Sequence, residues 1–229
     1  MANNNYPGIY IDYNNNNPIL STPNEPFSIQ FAQTRETLEC DAELYSQFLT
    51  NAISRFRSSK TYKQYKSHLY NAGMDRCQVL GNITEEMVGK HGLEMHHNFI
   101  NIHDIALMIS KHVLNTTGSI TTFDLVQLLK EEHKANRIPL VMLSKTVHQV
   151  YHADQEFVLP ADMCVGKWYE LIDKYKYGIT LDIAYKIIYF LEKSIELDQD
   201  KTKFPDNELL NLRETVKSWA HYNEYINIR

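Results

Sequence analysis

Cysteine, glycine and long apolar runs are all scarce in this chain. Its three cysteines, Cys40, Cys77 and Cys164, are far apart and form no CxxC. That argues against a disulfide scaffold and against a cysteine-based zinc knuckle, and it predicts a reducing, intracellular setting. Only 8 of the 229 residues are glycine, and helix-friendly segments dominate the second half. No apolar run approaches the roughly 20 residues that span a bilayer. The first residues lack the positive-plus-apolar pattern of a secretion signal. A soluble, cytoplasmic protein with no membrane partner is therefore expected. Internal repeats and sustained heptads are missing too, which excludes solenoids and coiled coils. Positive charge is also short: the net charge is -5. A protein that coats nucleic acid by bulk electrostatics is disfavoured, although a local basic patch remains open.

The chain is long enough for one large domain or two small ones. Residues 1 to about 36 are rich in Asn, Pro and Ser, and no regular structure is expected in this arm. It reads either as a surface-hugging arm or as a segment that docks on a partner. From about Thr37 to Ala72 the pattern is helical, with Leu44, Phe48, Leu49, Ala52, Ile53 and Phe56 at spacings of three and four. Arg55, Arg57, Lys60, Lys63 and Lys66 follow without an intervening acid. Such a run is either a solvated helix face or a phosphate-binding track. Asn71-Ala-Gly73 ends the helical stretch.

Gly92 to His97 reads as a short strand. Two helices are expected after it, over about 102–114 and from Thr121 or Thr122 to about His133, with Asp124 in the first turn of the second. Ile138 to Leu143 reads as another strand, with Pro139 at its start or edge. Ser144 is placed to cap the next helix. From about Pro160 the chain is helical again, with one helix from Trp168 toward Gly178, one through Ile183 to Leu191, and a last one after Pro205. Four segments result: an arm over 1–36, a basic helical segment over 37–74, a core over 75–159 with a helical insertion at about 100–134, and a helical region over 160–229.

What is abundant is histidine. Eight of the ten lie between His91 and His152. Imidazole is a good ligand for divalent metals and a good base near neutral pH. His148 and His152 are four apart on an expected helix and share one face. His96 and His97 are neighbours on an expected strand, so they point to opposite faces. That geometry invites a division of labour, with one histidine on a metal and the other free to take a proton. For each pair by itself the plain alternative is a pair of surface histidines.

Taken together, Leu93-Glu-Met-His-His97, Asn136-Arg-Ile-Pro-Leu140 and Val147-His-Gln-Val-Tyr-His152 resemble the HNH (ββα-metal, His-Me finger) endonuclease family over roughly 75–154. The resemblance implies a mainly α, α+β fold with a small ββα-metal core. It implies a metal-dependent endonuclease that hydrolyses phosphodiester bonds in DNA, with RNA as the other substrate. In that scheme His97 is the general base, and His96, His148 and His152 hold one divalent ion (Mg, Mn, Zn or Ni). Glu94 orients the motif, Asn136 braces the loop that fixes the base, and Arg55, Arg57, Lys60, Lys63 and Lys66 track the nucleic-acid backbone. Such a nuclease would suit a phage-infected or bacterial host cell.

Two departures stand out. The stretch between His97 and His148 is longer than the family's usual loop, and the paired cysteines of many members are missing. His68, His91, His103, His112, His133 and His221 are expected to be bystanders, and Tyr151 to be packed. The acidic balance and large helical additions support another reading, a non-catalytic binding or structural protein that engages a partner through its C-terminal helices. A three-histidine zinc hydrolase of another kind is a third, without the HExxH signature that would mark it.

Overall fold

The computed structural model describes residues 9–12, 17–20, 32–88, 92–154, 157–198 and 202–227. Most of the N-terminal arm and His91 lie outside them. Within the arm, β1 (Ile9–Asp12) and β2 (Asn17–Leu20) pair antiparallel as a hairpin. This corrects the expectation of no regular structure there.

The expected helix over 37–72 is three helices: α1 (Arg35–Glu39), α2 (Ala42–Ser58) and α3 (Lys60–Asn71). A short β3 (Gln33–Thr34) precedes them. Two capping residues cause the breaks. Asp41 accepts from the Leu44 amide to start α2. Ser59 takes an extended conformation, its N–H bonds the Phe56 carbonyl to close α2, and its Oγ accepts from the Tyr62 amide to open α3. Ser, Thr, Asn and Asp do this well because a short side-chain oxygen can satisfy an orphan helix N–H. The apolar stripe itself is real: Phe48, Leu49, Ala52, Ile53 and Phe56 are buried.

A short α4 (Glu85–Val88) leads to β4 (Leu93–His97), then α5 (Ile102–Thr117), β5 (Ser119–Ile120) and α6 (Thr122–Lys134). Both long helices open with reciprocal capping boxes, Asn101 with Asp104 and Thr121 with Asp124. β3 pairs antiparallel with β5. Next come β6 (Leu140–Ser144) and, directly from it, α7 (Lys145–Ala153), capped by Ser144. Pro139 stands just before the strand, where its missing N–H does no harm.

β4 and β6 pair antiparallel from Leu93↔Ser144 to His97↔Leu140. All five residues of β6 are buried. Its outer edge is closed by Gln78, which bonds the Met142 backbone twice, and by an exchange of hydrogen bonds between Leu140 and Val165. The chain finishes with α8 (Trp168–Lys174), α9 (Leu181–Leu197) and α10 (Asp206–Asn227), the last packed along α9. The fold is mostly helical with small two-stranded antiparallel sheets, an α+β arrangement. One buried apolar cluster runs from Leu38 to Ala220. Among the described residues no helix is long and apolar enough to cross a membrane.

Candidate functional site

Strand pairing fixes which way the histidines of β4 point. Glu94 and His96 are two apart and face α7, and His97 faces away. Because α7 starts at the last residue of β6, its first turns pass over β4. His148 and His152 are one turn apart on that underside. His148 Nε2 lies 3.0 Å from His96 Nδ1 and 3.0 Å from His152 Nε2. The carboxylate of Glu94 accepts from His148 Nδ1, which leaves the Nε2 lone pair facing its two neighbours. One potential ligand atom from each of His96, His148 and His152 lies within 4.8 Å of the others.

His96 is 7% exposed and packs edge-on to Tyr151, ring centroids 4.3 Å apart. Its other ring nitrogen, Nε2, is buried without a hydrogen-bond partner among the described residues. Burial, and then the neighbouring His148 and His152, hold its pKa down at about 3. His96 is therefore a neutral imidazole throughout the physiological range. The three histidines line an open cavity of about 850 Å³, shared with Arg57 and Ser54 of α2 and with His103.

His97 lines the same cavity but sets its ring against α6. Its Nε2 is 3.4 Å from Nε2 of His133, which has no accessible surface. His133 Nδ1 donates to the Leu129 carbonyl at 2.7 Å, so its Nε2 carries the lone pair. Phe56, Tyr62 and Tyr65 ring it at centroid distances of 4.5, 6.0 and 5.3 Å. Burial, followed by the nearby His133 and Arg57, keeps the His97 imidazole well below its usual pKa. His133 and Tyr151, both expected to be bystanders or simple packing, are thus the direct neighbours of His97 and His96. The sequence held a signal for the first. His133 continues Leu125 and Leu129 at spacings of four, which places it on the buried stripe of α6.

Asn136 lies in the turn between α6 and β6 at a φ of +53°. It accepts from the Tyr65 hydroxyl at 3.1 Å, and its carbonyl accepts from the Lys167 amide at 2.6 Å. It ties α3 and the start of α8 to the turn. The basic residues do not converge either. Arg57 lines the cavity, whereas Arg55, Lys60 and Lys63 are exposed along the outside of α2 and α3. Lys66 donates to the Leu93 carbonyl at 3.1 Å, beside the Tyr70 ring, and so braces β4.

A family model described as bacteriophage G278-like virion protein matches residues 11–223. No curated protein and no solved structure matches the chain. The family match overturns the HNH resemblance, and with it the reading as a DNA-cleaving hydrolase with His97 as general base. Of the biological setting expected from the sequence, the phage remains. A match this long decides the family: the chain belongs to the bacteriophage G278-like virion proteins.

Proposed function

We propose that this protein is a non-catalytic component of the phage particle that engages a partner protein there. The match to a virion protein family over residues 11–223 carries the reading. A feature of the C-terminal helices supports the partner. Leu181, Tyr185 and Tyr189 stand four apart on α9 and are 47%, 75% and 42% exposed. Exposed aromatic side chains aligned on one helix face are costly in water and are typical anchors of protein interfaces. The opposite face of α9, with Ile183, Ile187 and Leu191, is buried in the core, so the helix is held rigidly while it presents the stripe.

The test is mass spectrometry of purified particles from an infection, together with particles from a phage carrying Tyr185→Asp and Tyr189→Asp. The wild-type chain is expected in the particle, and the double variant is expected to fold but to be lost from it. A chain found in lysate and never in purified particles overturns the reading. So does plasmid nicking by the purified protein with Mn²⁺ or Ni²⁺ that His97→Ala abolishes.

A further inference from the structure

One ring nitrogen from each of three imidazoles lies within 4.8 Å of the others, and hydrogen bonds among neutral rings do not satisfy all three. His148 donates its Nδ1 proton to Glu94, so a neutral His148 has a single lone pair at Nε2. His96 Nδ1 and His152 Nε2 both approach that one lone pair at 3.0 Å. A single sp² lone pair serves one such donor well and a second poorly. One cation at the centre would instead accept all three lone pairs.

Two of the three separations are 3.0 Å and all three nitrogens lie within 4.8 Å of one another, a spread that one small ion can draw together. Tetrahedral nitrogens at about 2.0–2.1 Å from a zinc ion stand about 3.3 Å apart, a small outward adjustment from 3.0 Å. Glu94 fits as well, since metal-bound histidines commonly donate their second ring N–H to a carboxylate that fixes tautomer and orientation. Imidazole donors select borderline transition ions over Mg²⁺ and Ca²⁺, which prefer oxygen.

We propose that His96, His148 and His152 form a binding site for one divalent transition ion of the zinc class, which staples α7 to β4. The need for a staple is visible in the packing. Val147 is the one buried residue of α7 and Tyr151 packs half-buried beside it, so only modest apolar contact holds this nine-residue helix down. His96 comes from the buried strand, and His148 and His152 come from the helix. An ion shared among them joins the two elements directly. The site borders the open cavity, so the ion can enter without unfolding.

The untagged full-length chain should be titrated with Zn²⁺ and Co²⁺, with bound metal counted and melting followed by circular dichroism. One equivalent should bind, and at 100-fold excess over Kd the melting temperature should rise by about 5–10 °C. Bound Co²⁺ should give the strong visible absorption of a low-coordinate nitrogen site. His152 is exposed and its loss leaves the core intact, so His152→Ala should fold, bind at least about tenfold more weakly and lose about half of the shift or more. His103→Ala, on the same cavity wall but outside the cluster, should behave as wild type. Absence of binding by the folded wild type overturns the site, as does equal binding by His152→Ala. Because this assay uses the isolated chain, its failure is distinct from failure of the chain to enter particles.

Discussion

Glu132 is a carboxylate with no accessible side-chain surface, held in the middle of the molecule by three donors. Arg137 donates from the adjoining turn, Lys174 donates at 2.6 Å from the end of α8, and the Tyr175 hydroxyl, just past it, donates at 2.7 Å. Burial alone would raise its pKa, but these bonds win and hold it below the ordinary carboxylate range. Its contribution to stability is present above the unfolded-chain value and lost as pH falls through the folded value. Because Arg137 and Lys174 reach solvent, they can rehydrate once the carboxylate is gone. Glu132→Ala should therefore cost about 2–3 kcal/mol rather than the full penalty of a stranded buried ion, read from urea unfolding. His133, next along α6, acts in a higher pH window. Burial lowers its pKa to about 4, partly opposed by its bond to Leu129. Between about pH 6.5 and 4 the unfolded chain binds a proton that the folded chain refuses, so stability falls as pH falls through that window. His133→Gln should flatten unfolding free energy against pH by up to about 1.4 kcal/mol per pH unit there. An unchanged slope would show that His133 is already protonated in the fold.

Among the elements, α5 is fixed most tightly at a glycine. Gly178, in the turn Lys176–Gly178, lies so close to α5 that a Cβ would fall on the Met108 carbonyl oxygen and 2.7 Å from the His112 amide. Those atoms are backbone and cannot swing aside. Gly178→Ala should push the turn off α5 and cost about 1–3 kcal/mol, visible as a melting temperature about 3–10 °C lower. Which elements were legible from sequence follows from the same distinction between local and tertiary causes. The cap at Ser144, the strand over 93–97 and the start of α5 rest on local chemistry, and sequence reasoning placed them, while it left the cap of α6 between Thr121 and Thr122. The breaks at Asp41 and Ser59 are local too, but an apolar stripe running through both concealed them. The site was legible in part. Spacing put His148 and His152 on one face and separated His96 from His97. The meeting of Glu94 with His148, and of His97 with His133, depends on how β4, α6 and α7 pack. The HNH resemblance failed because short histidine motifs constrain a local turn of chain and a pair of strands, and say little about the helices that make up most of this molecule.

At the scale of the whole molecule, the buried cluster from Leu38 to Ala220 links the N-terminal helices, the β4–β6 pair and the C-terminal helices. The two tryptophans sample different parts of it. Trp168 is 1% exposed and lies against Phe99 and Phe190, whereas Trp219 is on α10, under Lys176 and beside Tyr177. α10 is further tied in by Asn223, which donates to the carbonyls of Lys176 and Ile179. Urea unfolding of the Trp168→Phe chain, followed both by Trp219 fluorescence and by far-ultraviolet circular dichroism, should therefore give coincident midpoints. Separated midpoints would mean that α10 comes away before the core opens.

The pairing of β4 with β6 also carries a consequence for assembly in time. His97 meets Leu140 only after the chain has made α5 and α6 between them. Closing so long a loop is entropically costly, and contacts distant in sequence form late. The three-histidine cluster cannot exist before that closure, since His96 waits on one strand and α7 springs from the other. A nascent or misfolded chain thus has only the His148–His152 pair to offer an ion, and the complete set of ligands becomes a mark of a finished fold.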